Sequence, residues 1–289
     1  MSPGCTNCYA MRLAHRFGAQ PGGKFAGLTR AINGNPVWNG VVRLDEKALN
    51  VPLGWRKPKR IFVNSMSDLF HESLPDEAID RVFAVMALCQ QHQFLCLTKR
   101  AERMQNYVGG ALTTQRIAYE VMKLDRYEPL ESLRWPLPNV WLGVSVEDQA
   151  RANERIPPLM ETPAAVRFIS AEPLLGPVNL TSWLYGLYGK PRLDWVIVGG
   201  ESGAGARPMN LAWARSIVAP CSGEGVSVFV KQLGAVPFSM TKAPPFTLRA
   251  LDDGPAAFDS GPFYAALKDR KGGDISEFPV DLQLRDFPA

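Results

Sequence analysis

Val140-Trp141-Leu142-Gly143-Val144-Ser145-Val146-Glu147 is the stretch on which the reading of the fold turns. Its first five residues are apolar or glycine at consecutive rather than alternate positions, and the run then breaks into Ser145 and Glu147. A short run of this kind suits a strand buried on both faces, as strands of a parallel sheet are. The same grammar recurs downstream. Val166-Arg167-Phe168-Ile169 ends in Ser170-Ala171-Glu172-Pro173, Trp195-Val196-Ile197-Val198 in Gly199-Gly200-Glu201-Ser202, and Val226-Ser227-Val228-Phe229-Val230 in Lys231-Gln232. Upstream, Phe94-Leu95-Cys96-Leu97 passes into Thr98-Lys99-Arg100, and Ile61-Phe62-Val63 into Asn64-Ser65-Met66-Ser67-Asp68. Val41-Val42-Arg43-Leu44 reads as a further short strand, which makes seven.

Helix-length segments separate these runs. Tyr9 to Phe17 reads as helical, with Met11, Leu13, Ala14 and Phe17 on an apolar side. Asp45 is the expected N-cap of a brief helix through Leu49. Another helix is expected from Pro75, with Asp76 and Glu77 in its first turn and Ile79, Val82, Phe83, Met86 and Cys89 on its core face. Residues 18–40 and 109–138 read as loop or irregular chain. Strands alternating with helices predict a TIM-like β/α barrel, complete or lacking its first strand, over 1–233, with an irregular peripheral extension over 234–289. In such a barrel the active site lies where the strands end. The expected mouth therefore carries Asn64, Ser65, Asp68, Thr98, Lys99, Arg100, Ser145, Glu147, Ser170, Glu172, Glu201, Lys231 and Gln232. Arg56-Lys57-Pro58-Lys59-Arg60 precedes a strand and belongs to the opposite end.

Ahead of all this stands Ser2-Pro3-Gly4-Cys5-Thr6-Asn7-Cys8-Tyr9-Ala10. Two cysteines separated by two residues can point at one metal or cluster, and Pro3-Gly4 favours an irregular loop around it. The spacing alone leaves cluster ligation, zinc, redox use and an incidental pair open. Zinc lacks a second pair to complete four ligands. Cys89, Cys96 and Cys221 fit a buried core. His15 reads as a solvated helix residue, His71 as a weak site candidate and His92 as a surface residue. Gly199 and Gly200 let the backbone approach a ligand, with Glu201 an acceptor, and the spacing is not that of a dinucleotide-binding fingerprint.

The 289 residues are 46% hydrophobic and 21% charged, which excludes general disorder. A net charge of +4 permits a nucleic-acid or phosphate partner without demanding one. Five cysteines in a chain with no signal-peptide pattern argue for a reducing cytoplasm, and the longest apolar run is too short to span a bilayer.

With the motifs above, Arg207-Pro208 and Asp274-Ile275-Ser276-Glu277-Phe278-Pro279 included, the chain resembles a family of phage proteins called gene product thirty-seven or sixty-eight. That family carries a three-cysteine motif and looks like a relative of the radical S-adenosylmethionine enzymes. The resemblance implies a four-iron cluster on Cys5 and Cys8, with Tyr9 beside it, that reduces S-adenosylmethionine to a substrate-attacking radical. Asn64, Ser65, Asp68, Ser145, Glu172, Gly199, Gly200 and Glu201 would hold S-adenosylmethionine or substrate, and Lys99, Arg100, Arg207 and Lys231 would offset carboxylate or phosphate charge. Expected partners are an electron donor or partner protein and a substrate of the nucleic-acid or nucleotide class. In the family the first cysteine lies several residues upstream, whereas only four residues precede Cys5 and none is cysteine. A start assigned too late would explain both this and a count of seven strands rather than eight. The alternatives are a degenerate inactive copy, a phage-derived nucleic-acid-processing or nucleic-acid-binding protein that uses the basic mouth without radical chemistry, and a zinc module.

Overall fold

The computed structural model describes residues 2–124, 133–186, 192–241, 262–288 and the backbone of 248–249. Much of the expected 234–289 extension, at 242–247 and 250–261, lies outside the described residues. In chain order the elements are α1 (Tyr9–Phe17), β1 (Thr29–Ile32), β2 (Asn35–Trp38), α2 (Glu46–Leu49), β3 (Arg60–Val63), α3 (Asp76–Leu88), β4 (Gln93–Thr98), α4 (Ala101–Val108) and α5 (Thr113–Lys123). There follow β5 (Val140–Ser145), α6 (Gln149–Glu161), β6 (Val166–Ala171), α7 (Thr181–Leu184), β7 (Trp195–Gly199), β8 (Met209–Asn210), α8 (Leu211–Gly223) and β9 (Ser227–Gln232). The last strands are β10 (Pro237–Ser239), β11 (Leu248–Arg249) and β12 (Phe263–Ala265).

The fold is mixed α/β. Six parallel strands run in the order β3-β4-β5-β6-β7-β9, each followed in sequence by its neighbour in the sheet, with helices between them. All six answer to runs read from the sequence. The seventh does not: Val41–Leu44 forms no strand, and Val41 is exposed. Four residues of strand-like composition have no sheet edge to pair with there, and composition alone does not make a ladder.

By contact density the chain divides into two compact units, one of residues 8–143 and 161–165, the other of 1–7, 144–160 and 166–289. In the first, α1 packs on the β1–β2 hairpin. This hairpin falls in the stretch expected to be loop. Its turn is Asn33-Gly34, with φ of 48° and 76°, the positive-φ pair that a tight two-residue hairpin requires and that asparagine and glycine supply. Phe17, expected on the apolar side of α1, is exposed; Ala10 and Ala14 are the residues α1 buries. β3 ends the strand order, so its Phe62 is exposed rather than buried. His92 is not a surface residue. Its ring is fully buried, edge-on to Trp55 and Phe94, with Nε2 3.3 Å from the Pro52 carbonyl oxygen.

The stretch expected to be irregular contains α5, which buries Ile117, Ala118 and Val121 against α3. A polar triad sits among α3, α4 and α5. Asp80, 2% exposed, accepts from the Tyr107 hydroxyl at 2.6 Å and from Arg116 Nε at 2.9 Å. Burial, then the Asp80 carboxylate, push the Tyr107 phenol far above its ordinary range.

In the second unit β7 is buried along its whole length, and its Trp195 packs on Phe168 and Phe287. β9 is the other terminal strand, and residues 284–286 close its free edge. Val230 N–H donates to the Leu284 carbonyl at 2.8 Å and Asp286 N–H to the Val228 carbonyl at 2.9 Å. An unpaired edge is an aggregation template, and this one is covered. β11, β12, β10 and β8 form a separate small sheet.

Replacing Asp80 by alanine leaves the buried Tyr107 hydroxyl without its acceptor while Arg116 can turn to water. The expected loss is about 3 kcal/mol, read as a lower urea midpoint at constant slope. A loss below about 1 kcal/mol would show that the triad does not hold the three helices together.

Candidate functional site

In the second unit the carboxyl ends of β5, β6, β7 and β9 present three glutamates. Each is met by a cation of the same unit. Glu147, fully buried beyond β5, accepts from Arg155 Nη1 at 3.1 Å, and the same Nη1 reaches the Ser145 carbonyl at 2.9 Å. Glu201, beyond β7, is gripped by Arg207 in a two-pronged pair, Nη2 to Oε1 at 2.7 Å and Nε to Oε2 at 2.9 Å, with the Arg207 backbone N–H adding a third bond at 2.9 Å. Glu172, beyond β6, lies 3.1 Å from Lys231 Nζ at the end of β9 and accepts from the Ser170 hydroxyl at 3.1 Å. Gln232 Nε2 donates to the Gly200 carbonyl at 2.7 Å.

The cysteine-bearing segment is latched onto these groups. The Ser2 hydroxyl donates to Glu147 Oε1 at 2.5 Å. Arg207 Nη1 donates to the Pro3 carbonyl at 3.0 Å, and Asn7 Nδ2 donates to Glu201 Oε2 at 3.2 Å. Cys5 sits half-buried between these anchors, its sulfur 3.7 Å from the Ser2 hydroxyl. A β-carbon on Gly4 would stand 2.6 Å from Glu147 Oε1, and one on Gly199 would stand 2.5 Å from Glu172 Oε1. Both glycines make room for the chain's own carboxylates. Gly200 likewise meets the Leu233 carbonyl, so packing requires both glycines.

Burial opposes the charged form of Glu201, but the hydrogen bonds from the Arg207 side chain and amide and from Asn7, with the Arg207 charge, outweigh it. Its carboxyl is held below the ordinary value of 4.5. Arg207 is correspondingly raised, first by its bond to Glu201.

In the first unit the strand-end residues form a different cluster. Asp68 accepts from the Thr98 hydroxyl at 2.6 Å, Lys99 N–H at 3.0 Å, Arg100 Nη1 at 2.9 Å and Phe70 N–H at 3.0 Å. Four donors occupy the acceptor capacity of a carboxylate, so Asp68 ties the segment after β3 to the end of β4. Arg100 also pairs with both oxygens of Glu72 at 2.8 Å. Burial opposes the Arg100 charge, and the two acids more than restore it. Asn64, at φ 63°, and Ser65 are exposed, and the Ser65 carbonyl accepts from the Tyr9 hydroxyl at 2.7 Å. His15 touches Thr29 Oγ1 at 3.1 Å, and His71 Nδ1 accepts from Ser73 N–H.

A protein-family model described as protein of unknown function (DUF5131) matches residues 1–257. The chain belongs to the DUF5131 family. That description assigns no activity, and neither phage origin nor radical S-adenosylmethionine kinship is part of it. No curated protein and no solved structure matches this DUF5131 chain.

A site-differentiated four-iron cluster takes three thiolates. This DUF5131 chain has five cysteines, of which Cys89, Cys96 and Cys221 are buried in the core, and burial pushes the Cys96 and Cys221 thiols up to about 12. Cys5 and Cys8 are one ligand short. Among the described residues no group of three or more His, Cys, Asp or Glu is placed to hold a metal ion. The thiols present therefore do not fit the cluster by themselves. The residues that sequence reasoning missed are Ser2, Asn7, Glu72 and Arg155. Ser2 and Arg155 reach Glu147, and Asn7 reaches Glu201, from loops or a helix with no local signal.

Because the folded Glu201 carboxyl lies below its unfolded value, its pair with Arg207 contributes fully above about pH 4.5 and is lost as pH falls through the lowered folded value. Glu201→Gln should cost about 1–2 kcal/mol at pH 7, and the gap between variant and parent should close towards pH 3 in urea titrations. A gap independent of pH would place the effect in packing rather than charge. Gly199→Ala should displace Glu172 from Lys231, seen as movement of the Glu172 carboxyl signal in a carbon NMR spectrum.

Proposed function

We propose that this protein is an enzyme that binds S-adenosylmethionine, or a nucleoside carrying the same amino-carboxylate group, at the carboxyl ends of β6, β7 and β9. The strand order supports a barrel-type arrangement rather than a doubly wound one. Each successive strand is added on the same side, with no reversal to create a crevice in mid-sheet. In barrel folds ligands are met at the carboxyl ends of the strands.

One observation carries the choice of residues. Of the three strand-end glutamate–cation pairs described in the second unit, Glu147–Arg155 is withdrawn from water and Glu201 is 8% exposed in the grip of Arg207, whereas Glu172–Lys231 is the most open, with the lysine side chain 56% exposed. An exposed pair of this kind is worth little to stability, so exchanging its partners is cheap. A ligand ammonium can take Glu172 and Ser170, and a ligand carboxylate can take Lys231. Glu201 and Arg207 then act as positioning residues that keep the Ser2–Asn7 segment over the strand ends. The radical chemistry implied by the family resemblance requires a third thiolate beyond Cys5 and Cys8. The nucleic-acid reading of the strand ends is weaker, because Arg100, Arg207 and Lys231 are each neutralised by a carboxylate.

Titration calorimetry with S-adenosylmethionine tests the proposal. Binding is expected, weakened roughly tenfold in Glu172→Gln and in Lys231→Met. Absence of heat at millimolar ligand, or variants that bind as the parent does, would overturn it. Iron and sulfide analysis after anaerobic reconstitution tests the cluster separately. Retained iron that disappears in Cys5→Ala and Cys8→Ala supports radical chemistry, and none retained removes it while leaving the ligand site standing.

A further inference from the structure

The first unit carries a surface that the strand-end chemistry does not use. From Met1 to Leu44 the chain has no aspartate or glutamate but five cations, Arg12, Arg16, Lys24, Arg30 and Arg43, more positive charge than the whole chain's net +4. All five side chains are on exposed residues. Among the described residues Arg16, Lys24, Arg30 and Arg43 lie within 4 Å of no carboxylate, unlike Arg100, Arg207 and Lys231 at the strand ends.

These cations share one small scaffold. α1 packs on β1 and β2; the His15 ring meets Thr29 at 3.1 Å; Phe17 and Phe25 stand 6.4 Å apart; and Arg43 donates to the Ala26 carbonyl. The end of α1, the 24–29 loop and residue 43 are thus tied together. Aromatic rings are set among the charges. The Arg16 guanidinium lies 5.7 Å from the Phe17 centroid and Lys24 Nζ 4.9 Å from that of Phe25, and Phe17 is 52% exposed.

We infer that this α1–hairpin surface binds single-stranded nucleic acid. Unpaired cations attract any polyanion, but the exposed Phe17 ring, set beside the half-buried Phe25 and flanked by those cations, distinguishes the occupant. Phosphates meet the arginines and lysines while a base stacks on Phe17, a contact that unstacked bases offer and that a duplex or an acidic peptide does not. The inference is independent of the S-adenosylmethionine reading, since it uses none of the same residues.

The test is fluorescence anisotropy of the whole chain with a labelled twenty-nucleotide single strand, its blunt duplex and polyglutamate. The single strand is expected to bind best, with log affinity falling about two to three units per tenfold rise in salt for three to four neutralised phosphates. Arg16→Glu/Lys24→Glu/Arg30→Glu should abolish binding, and Phe17→Ala should weaken it about tenfold, with circular dichroism unchanged in both. Affinity unaltered in the charge-reversed variant would overturn the inference. So would duplex or polyglutamate binding as tight as the single strand, or a Phe17→Ala variant that binds like the parent.

Discussion

Withdrawing Glu147 from water obliges the chain to surround it with donors, and that obligation organises the second unit. Arg155 reaches it from α6, Ser2 from the other end of the chain, and Gly4 is small enough to lie against it. A carboxylate this deeply buried without partners would cost several kcal/mol. Meeting its needs brings the segment around Cys5 to the carboxyl end of β5. Glu201 repeats the arrangement at β7, with Arg207 and Asn7 as its partners.

The strand ends thus divide by their exposure to water. Pairs that are buried and geometrically matched serve as architecture, and the pair left in solvent keeps its freedom to exchange. In the first unit Asp68 is architecture of the same kind, its oxygens saturated by donors from β4 and the segment before α3. Strand-end position places a residue at the mouth of a parallel sheet, but only the count of donors around it says whether anything remains for a ligand.

That distinction marks how far the sequence could be read. The six parallel strands were legible because burial on both faces leaves continuous apolar runs. Asp45 and the acidic first turn of α3 were legible because capping is local. Val41–Leu44 misled because the same composition occurs without a neighbouring strand. The β1–β2 hairpin carried a strong local signal, Asn33-Gly34, hidden within a stretch whose glycine and proline content suggested loop. His92 carries no local mark of its burial, which comes from Trp55 and Pro52, some forty residues away in sequence. Glu147 and Glu201 lie 145 and 194 positions from Ser2 and Asn7, and no local pattern encodes such a meeting.

Gly4 and Glu147 also constrain one another's size. The missing methyl at position 4 and the length of the acid at position 147 occupy a single volume, so neither site can change alone without a collision or a void. A β-carbon at 4 would stand 2.6 Å from Oε1 and 2.8 Å from Cγ of Glu147, so shortening the acid to aspartate does not by itself admit alanine at 4. The two positions, far apart along the polypeptide, are therefore expected to drift through evolution as a compensating couple rather than as independent letters.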